Sequence, residues 1–156
     1  MAHDLKFFMR EQKAEIIKAK GPETFKDDKG EVIEFEIKKL TRAEIQHIFN
    51  GYKTRTILKD KRGTPLVVGN EAIFETVKNN EKAQDRIIVE ALQYPNLKDK
   101  ELMKFYGCVD ITEMPGKVFP SYDEYSHVLK IVTAALGIGD FGEDEDDSDL
   151  VDEAKN

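Results

Sequence analysis

Glu34 and Glu36 stand two residues apart in "EVIEFEIKKL", so on an extended chain both carboxylates project from one face. Paired carboxylates of this kind can divide general acid and general base work. Here they also fit the polar face of a strand whose other face carries Ile33, Phe35 and Ile37, and that reading takes precedence. Cys108 could be a nucleophile only with a base to activate it. It follows Gly107 with no histidine nearby in the sequence, and it reads as a small apolar side chain at the core or its edge. His3, His47 and His127 fall in three separate segments, and none has a second ligand at the spacing a zinc site needs. "GIGDFG", residues 137–142, matches the G-x-G-x-x-G of phosphate-binding loops. Such a loop works by following a strand and opening a helix whose amides face the phosphates. Here a helical pattern precedes the glycines and acids follow them, so Gly137 reads as a helix stop. The acids themselves lack the glycine at the sixth position of a calcium loop, whether counted from Asp140 or Asp144. The sequence therefore offers no catalytic residues, no metal ligands and no cofactor site.

The elements that carry these residues are legible in part. Asp4 to Lys18 reads as an amphipathic helix with Leu5, Phe8, Met9, Gln12 and Ile16 on one side. "DDKG" at 27–30 is turn chemistry, and the alternation that follows predicts a strand returning from a β-hairpin. "TRAE" at 41–44 and "SYDE" at 121–124 are capping boxes, each opening a helix. The first runs to Gly51, and the second carries Tyr125, Val128, Leu129, Val132 and Leu136. Between 55 and 69 the pattern suits a loosely ordered second hairpin around "KDKRG". Asn70 then caps a helix to about Gln93, with Ile73, Phe74, Val77, Ile87, Ile88, Ala91 and Leu92 inward and a kink at Asn79–Asn80. "YPNLKDKELMKFYG" ends it at Pro95 and supplies a short helix that stops at Gly107. No internal repeat stands out. The expected fold class is α+β, mainly α: several helices packed with an N-terminal β-hairpin.

The chain has 156 residues, 40% of them apolar and 35% charged, which suits one globular domain over 1–141 followed by a disordered acidic tail over 142–156. Removing the eight acids and one lysine of the last fourteen residues from totals of 31 and 24 leaves 23 of each sign. The net charge of −7 thus belongs to the tail. A neutral body provides no electrostatic footprint for nucleic acid, and the tail repels phosphates. No apolar run approaches the roughly 18 residues of a membrane span. The first residues lack the basic-then-apolar pattern of a secretory signal, and a single cysteine excludes an internal disulfide. A cytoplasmic location is expected.

"LKFFM" differs in kind from these features. Phe7, Phe8 and Met9 are consecutive, so no single helical stripe can bury all three, and they are the candidate protein-contact residues.

Four segments, taken in order, resemble the XkdN-like family of phage tail assembly chaperones: "LKFFM", "FKDDKGEVIEFEIKKLT", "YPNLKDKELMKFYG" and "PGKVFPSYDEYSHVLKIV". The third is the most specific, with Pro95, Asn96, Leu97, Glu101, Leu102, Tyr106 and Gly107 in register. Residues 53–69 and the tail lie outside the resemblance. It implies a non-enzymatic protein of a phage or prophage that binds the tape measure protein, a long helical and aggregation-prone chain, while tail tube subunits polymerise around it. It also implies the tail tube protein and self-association as further contacts, and absence from the mature virion. On that reading the N-terminal apolar residues hold the partner, and the acidic tail acts as a solubilising brush. The competing reading is an acidic mimic of nucleic acid, which requires carboxylates spread over a folded face.

Overall fold

A computed structural model describes residues 3–11 and 13–139. The expected acidic tail lies outside the described residues. Of the described residues 41% are helix and 23% strand, in three antiparallel sheets. This corrects the mainly helical expectation with its N-terminal hairpin; helix and strand are mixed throughout the described residues.

The first departure is at the start. Leu5–Phe8 form one turn of 3-10 helix, capped by the Asp4 carboxylate, which accepts from the Lys6 amide at 2.9 Å. The segment expected to continue as helix instead becomes strand β1, Ile16–Lys20. Two adjacent β-branched residues favour the extended form. Ile17 and Ala19 face the core, and Lys18 and Lys20 face water. β2, Glu34–Lys38, alternates as read, with Phe35 and Ile37 buried. The "DDKG" turn forms, but only a single bridge, Lys26 to Val32, closes above it. The ladder partners of β2 come from further away: β1 on one side, and β7, Leu92–Tyr94, on the other. A bulge between Glu36 and Ile37 adjusts the second pairing.

α1, Arg42–Gly51, and α5, Tyr122–Leu136, begin where their caps predict. Thr41 Oγ1 accepts from the Glu44 amide at 3.2 Å, and Ser121 Oγ accepts from the Glu124 amide at 3.1 Å. α5 ends at Gly137, whose φ of 71° lets its amide turn back to the last carbonyls. That geometry makes the start of "GIGDFG" a helix stop; residues 140–142 of the motif lie outside the described residues. α3, Lys100–Tyr106, is capped by Asp99, and α4, Met114–Val118, follows a 3-10 turn at Ile111–Glu113.

The largest correction is between α1 and α3. The predicted long helix from Asn70 is cut short: α2 spans only Asn80–Ala91, and Asn79, read as a kink, is its cap, accepting from the Lys82 amide. Ile73, Phe74 and Val77 do not face inward on a helix. β3, Lys53–Ile57, pairs with β6, Phe74–Lys78, in a ribbon whose ten residues are all exposed. A two-on-two pairing of β4, Val67–Val68, with β5, Glu71–Ala72, lies within the same arm. The turn in this arm repeats the first one. Asp27 Oδ1 accepts from the Lys29 and Glu31 amides, and Asp60 Oδ1 accepts from the Arg62 and Thr64 amides. Gly30 and Gly63 close the two turns with φ of 80° and 84°. "FKDDKGEVI" and "LKDKRGTPL" are thus one local design used twice, a repeat too short and degenerate to stand out in the sequence.

Most of the buried apolar side chains form one cluster. α2 is its hub, with Ala83, Ile87, Ile88, Val89 and Ala91 all buried, and it touches α1, α4, α5 and the three-stranded sheet. The rings of Phe25, Phe35 and Phe119 meet at 5.6–6.4 Å against the same buried face of β2 that carries Ile37.

Candidate protein-docking site

The residues singled out for chemistry occupy separate places in the fold. Glu34 and Glu36 do share a face, but the register sets Lys20 and Lys18 directly opposite them. Cross-strand pairs of opposite charge stabilise a ladder, and these carboxylates belong to it. Cys108 lies in the core, as its surroundings in sequence suggested. His127 reaches the Lys20 carbonyl at 2.9 Å and ties α5 to β1, while His47 lies on the rim of a groove between α1 and α2. Among the described residues no cluster of His, Cys, Asp or Glu could hold a metal ion.

One half-buried polar trio joins α2 to α5. The Tyr125 hydroxyl donates to Asp85 Oδ1 at 2.6 Å and accepts from Gln84 Nε2 at 3.1 Å. Burial raises the Asp85 carboxyl above its ordinary range, partly offset by the Tyr125 hydrogen bond. Burial, and then the Asp85 carboxylate, push the Tyr125 phenol upward. A phenol held protonated against a carboxylate in this way latches α5 to α2.

The concave features differ in character. The α1–α2 groove encloses about 530 Å³, and its charges compensate internally: Glu90 binds Arg86 at 3.0 Å and Lys98 at 3.1 Å. A smaller cavity of about 200 Å³ is walled almost wholly by carbon. Phe25, Ile33 and Phe35 supply one wall, Tyr94, Pro95, Leu102 and Tyr106 a second, and Val118 with Phe119 the third. These walls come from three of the four segments singled out in the sequence, brought together by the β2–β7 pairing and by α3. Two apolar residues from the same stretch of chain stand in solvent, Phe105 at 79% and Val109 at 94% exposed, and the wall residue Tyr94 is itself half exposed. A ring or aliphatic side chain entering such a cavity trades water for close apolar contact.

The N-terminal candidates are also exposed: Phe7 at 75%, Phe8 at 80% and Met9 at 77%, with Leu5 beside them. Consecutive apolar residues had implied that at least one faces out; without a continuous helix, all three do.

A family model described as phage XkdN-like tail assembly chaperone protein matches residues 5–155. The chain belongs to that family. Over 156 residues it is 31% identical to the phage-like element PBSX protein XkdN of Bacillus subtilis (strain 168), covering 99% of this chain and 95% of that protein. It is equally identical to the uncharacterized protein YqbN of the same organism, covering 99% of this chain and 94% of YqbN. A crystal structure of YqbN shares the fold, with a TM-score of 0.66 at 24% identity, covering 89% of this chain and all of that one. As an XkdN-like chaperone the protein takes part in phage tail assembly, and its partners are proteins. The match crosses residues 53–69 and continues into the acidic tail, both of which lay outside the resemblance read from motifs. Within this chaperone, "YPNLKDKELMKFYG" has two duties. Leu97 is buried in the core, and Tyr94, Pro95, Leu102 and Tyr106 form the cavity wall.

Proposed function

We propose that this protein binds the tape measure protein of a phage or prophage and keeps it soluble in the bacterial cytoplasm while the tail tube assembles. It acts by contact, without making or breaking a bond, and leaves before the virion is complete. The tail tube protein and a second copy of the chaperone are further contacts of the same kind. The observation that carries this reading is the carbon-lined cavity built by three family segments. An amphipathic helix bound to a surface presents apolar anchors three or four residues apart. One such anchor fits the cavity, while Phe7, Phe8 and Met9 supply more apolar surface, with methionine adapting to irregular partners.

Burying a phenyl side chain contributes roughly 1.5–3 kcal/mol, so losing both Phe7 and Phe8 should weaken binding at least about tenfold. The test is co-expression of the tape measure protein with the wild type, with Phe7→Ser/Phe8→Ser, and with Phe105→Ser. Both variants should fold normally by circular dichroism, and less tape measure protein should co-purify. Unchanged co-purification with both folded variants refutes the reading.

A further inference from the structure

The β3–β6 ribbon has one face with a distinct pattern. Register places Lys53 opposite Lys78, Arg55 opposite Thr76, and Ile57 opposite Phe74, all on the same side of the ribbon. Arg55 confirms this by lying over the Phe74 ring at 4.2 Å. Three cations therefore sit at the base of this face, followed by an exposed apolar pair. Beyond that pair the Asp60 turn adds Lys59, Lys61 and Arg62.

The arm from 53 to 78 carries these six cations against three acids, a net of +3 in a body that is otherwise neutral or acidic. Among the described residues none of the six cations forms an ion pair. Of the arm's three acids, Asp60 Oδ1 caps its own turn, Glu75 pairs with Thr56 on the opposite side of the ribbon, and Glu71 lies in β5 opposite Val68. Along the arm the order is thus cation, apolar, cation, with the last group supplied by the Asp60 turn.

The chain itself contains the complementary pattern. "EDEDDSDLVDEAKN" runs acid, apolar, acid, with Leu150–Val151 between Glu143–Asp149 and Asp152–Glu153, and has a net charge of −7. We propose that this C-terminal segment docks on its own molecule's β3–β6 face, with Leu150 and Val151 against Ile57 and Phe74. Leu150 lies eleven residues beyond Gly139, a tether that spans up to about 40 Å when extended. Exposed ion pairs are individually weak. Tethering compensates, since a covalently linked segment is presented at an effective concentration on the order of millimolar. The tail then covers the arm in the free protein, instead of standing as a brush, and a partner that needs the arm must displace it. This inference is independent of which partner that is.

The full-length protein tests it. A nitroxide at Ala154→Cys, in a Cys108→Ser background, should broaden the amide signals of 53–57 and 74–78 by about twofold or more relative to core amides at about 50 mM salt. The effect should fade at about 500 mM salt, where screening shortens the Debye length to roughly 4 Å. It should also fade in Lys53→Glu/Arg55→Glu/Lys78→Glu. No selective broadening of the ribbon at low salt overturns the proposal. So does broadening that appears only when labelled and unlabelled molecules are mixed, because the occupant is then a second copy. If the triple variant loses its arm structure, the salt series alone decides.

Discussion

Gly21→Ala tests whether the aromatic cluster behind the cavity is as tightly packed as its geometry indicates. Gly21 donates its amide to the Ile33 carbonyl at 2.9 Å and lies directly against the Phe35 ring. A methyl at this position would sit 2.5 Å from Cε1, 2.8 Å from Cδ1 and 2.9 Å from Cζ of that ring. Carbon atoms prefer about 3.5–4.0 Å, so the ring must retreat by roughly 1 Å. It is 2% exposed, and the Phe25 and Phe119 rings lie at 6.4 and 6.0 Å from it. Overpacking of this kind costs about 1–3 kcal/mol, and the stiffer unfolded chain returns about 0.4–1 kcal/mol. At the midpoints of these ranges the net loss is about 1.3 kcal/mol, or roughly 3–5 °C in melting temperature for a chain of this length. The free side of the ring is the 200 Å³ cavity, so the same substitution should narrow it. Urea denaturation of Gly21→Ala, Phe35→Leu and the double variant measures the effect. Phe35→Leu alone costs stability through the space it leaves. The double variant should lose less than the sum of the singles by about 1 kcal/mol, because the smaller side chain yields to the new methyl. Additive losses, or a Gly21→Ala protein as stable as the wild type, would refute the packing argument.

Two further predictions rest on the twin turns and the helix latch. Asp27→Ala and Asp60→Ala each remove an acceptor of two backbone amides, worth about 1 kcal/mol, yet only the first should lower the urea midpoint. The Asp27 turn carries the core-packed Phe25 and Ile33, whereas Asp60 lies in an arm with no buried residue, so its loss should speed hydrogen exchange locally at Gly63 and Thr64; equal effects on the midpoint would count against this division. At Asp85 the folded carboxyl titrates above its unfolded value of 3.8, so its stabilising contribution is complete below that pH and is lost as pH rises through the folded value. Carbon-detected NMR should show the raised titration, Tyr125→Phe should move it further up by removing the hydrogen bond that opposes burial, and Asp85→Asn should flatten stability over that window; an Asp85 that titrates as an exposed carboxyl would refute the assignment.

What the sequence determined by itself was local. Thr41, Ser121, Gly107 and Gly137 act within a few residues of themselves, so the starts of α1 and α5 and the ends of α3 and α5 could be placed before any packing was known; the Asp99 cap of α3 went unread. The alternation through Phe35 and Ile37 marked a strand because one face had to be buried. The motif segments carried the family without any knowledge of their arrangement. Partnership was decided only in three dimensions. Ile16–Lys20 can satisfy a helical period or a strand, and it becomes a strand because β2 offers its free edge. Phe74–Lys78 follows the same logic: the apolar spacing at 73, 74 and 77 fits a helix, but β3 supplies a ladder and Asn79 caps the helix that begins after it. The 200 Å³ cavity exists only where residues near 25, 95 and 119 converge, and no spacing along the chain encodes that meeting. The exposure of Phe7, Phe8 and Met9 was half visible, since consecutive large apolar residues cannot share one stripe; that all three stand in water follows from the strand that begins at Ile16 and leaves them no continuous helix to belong to.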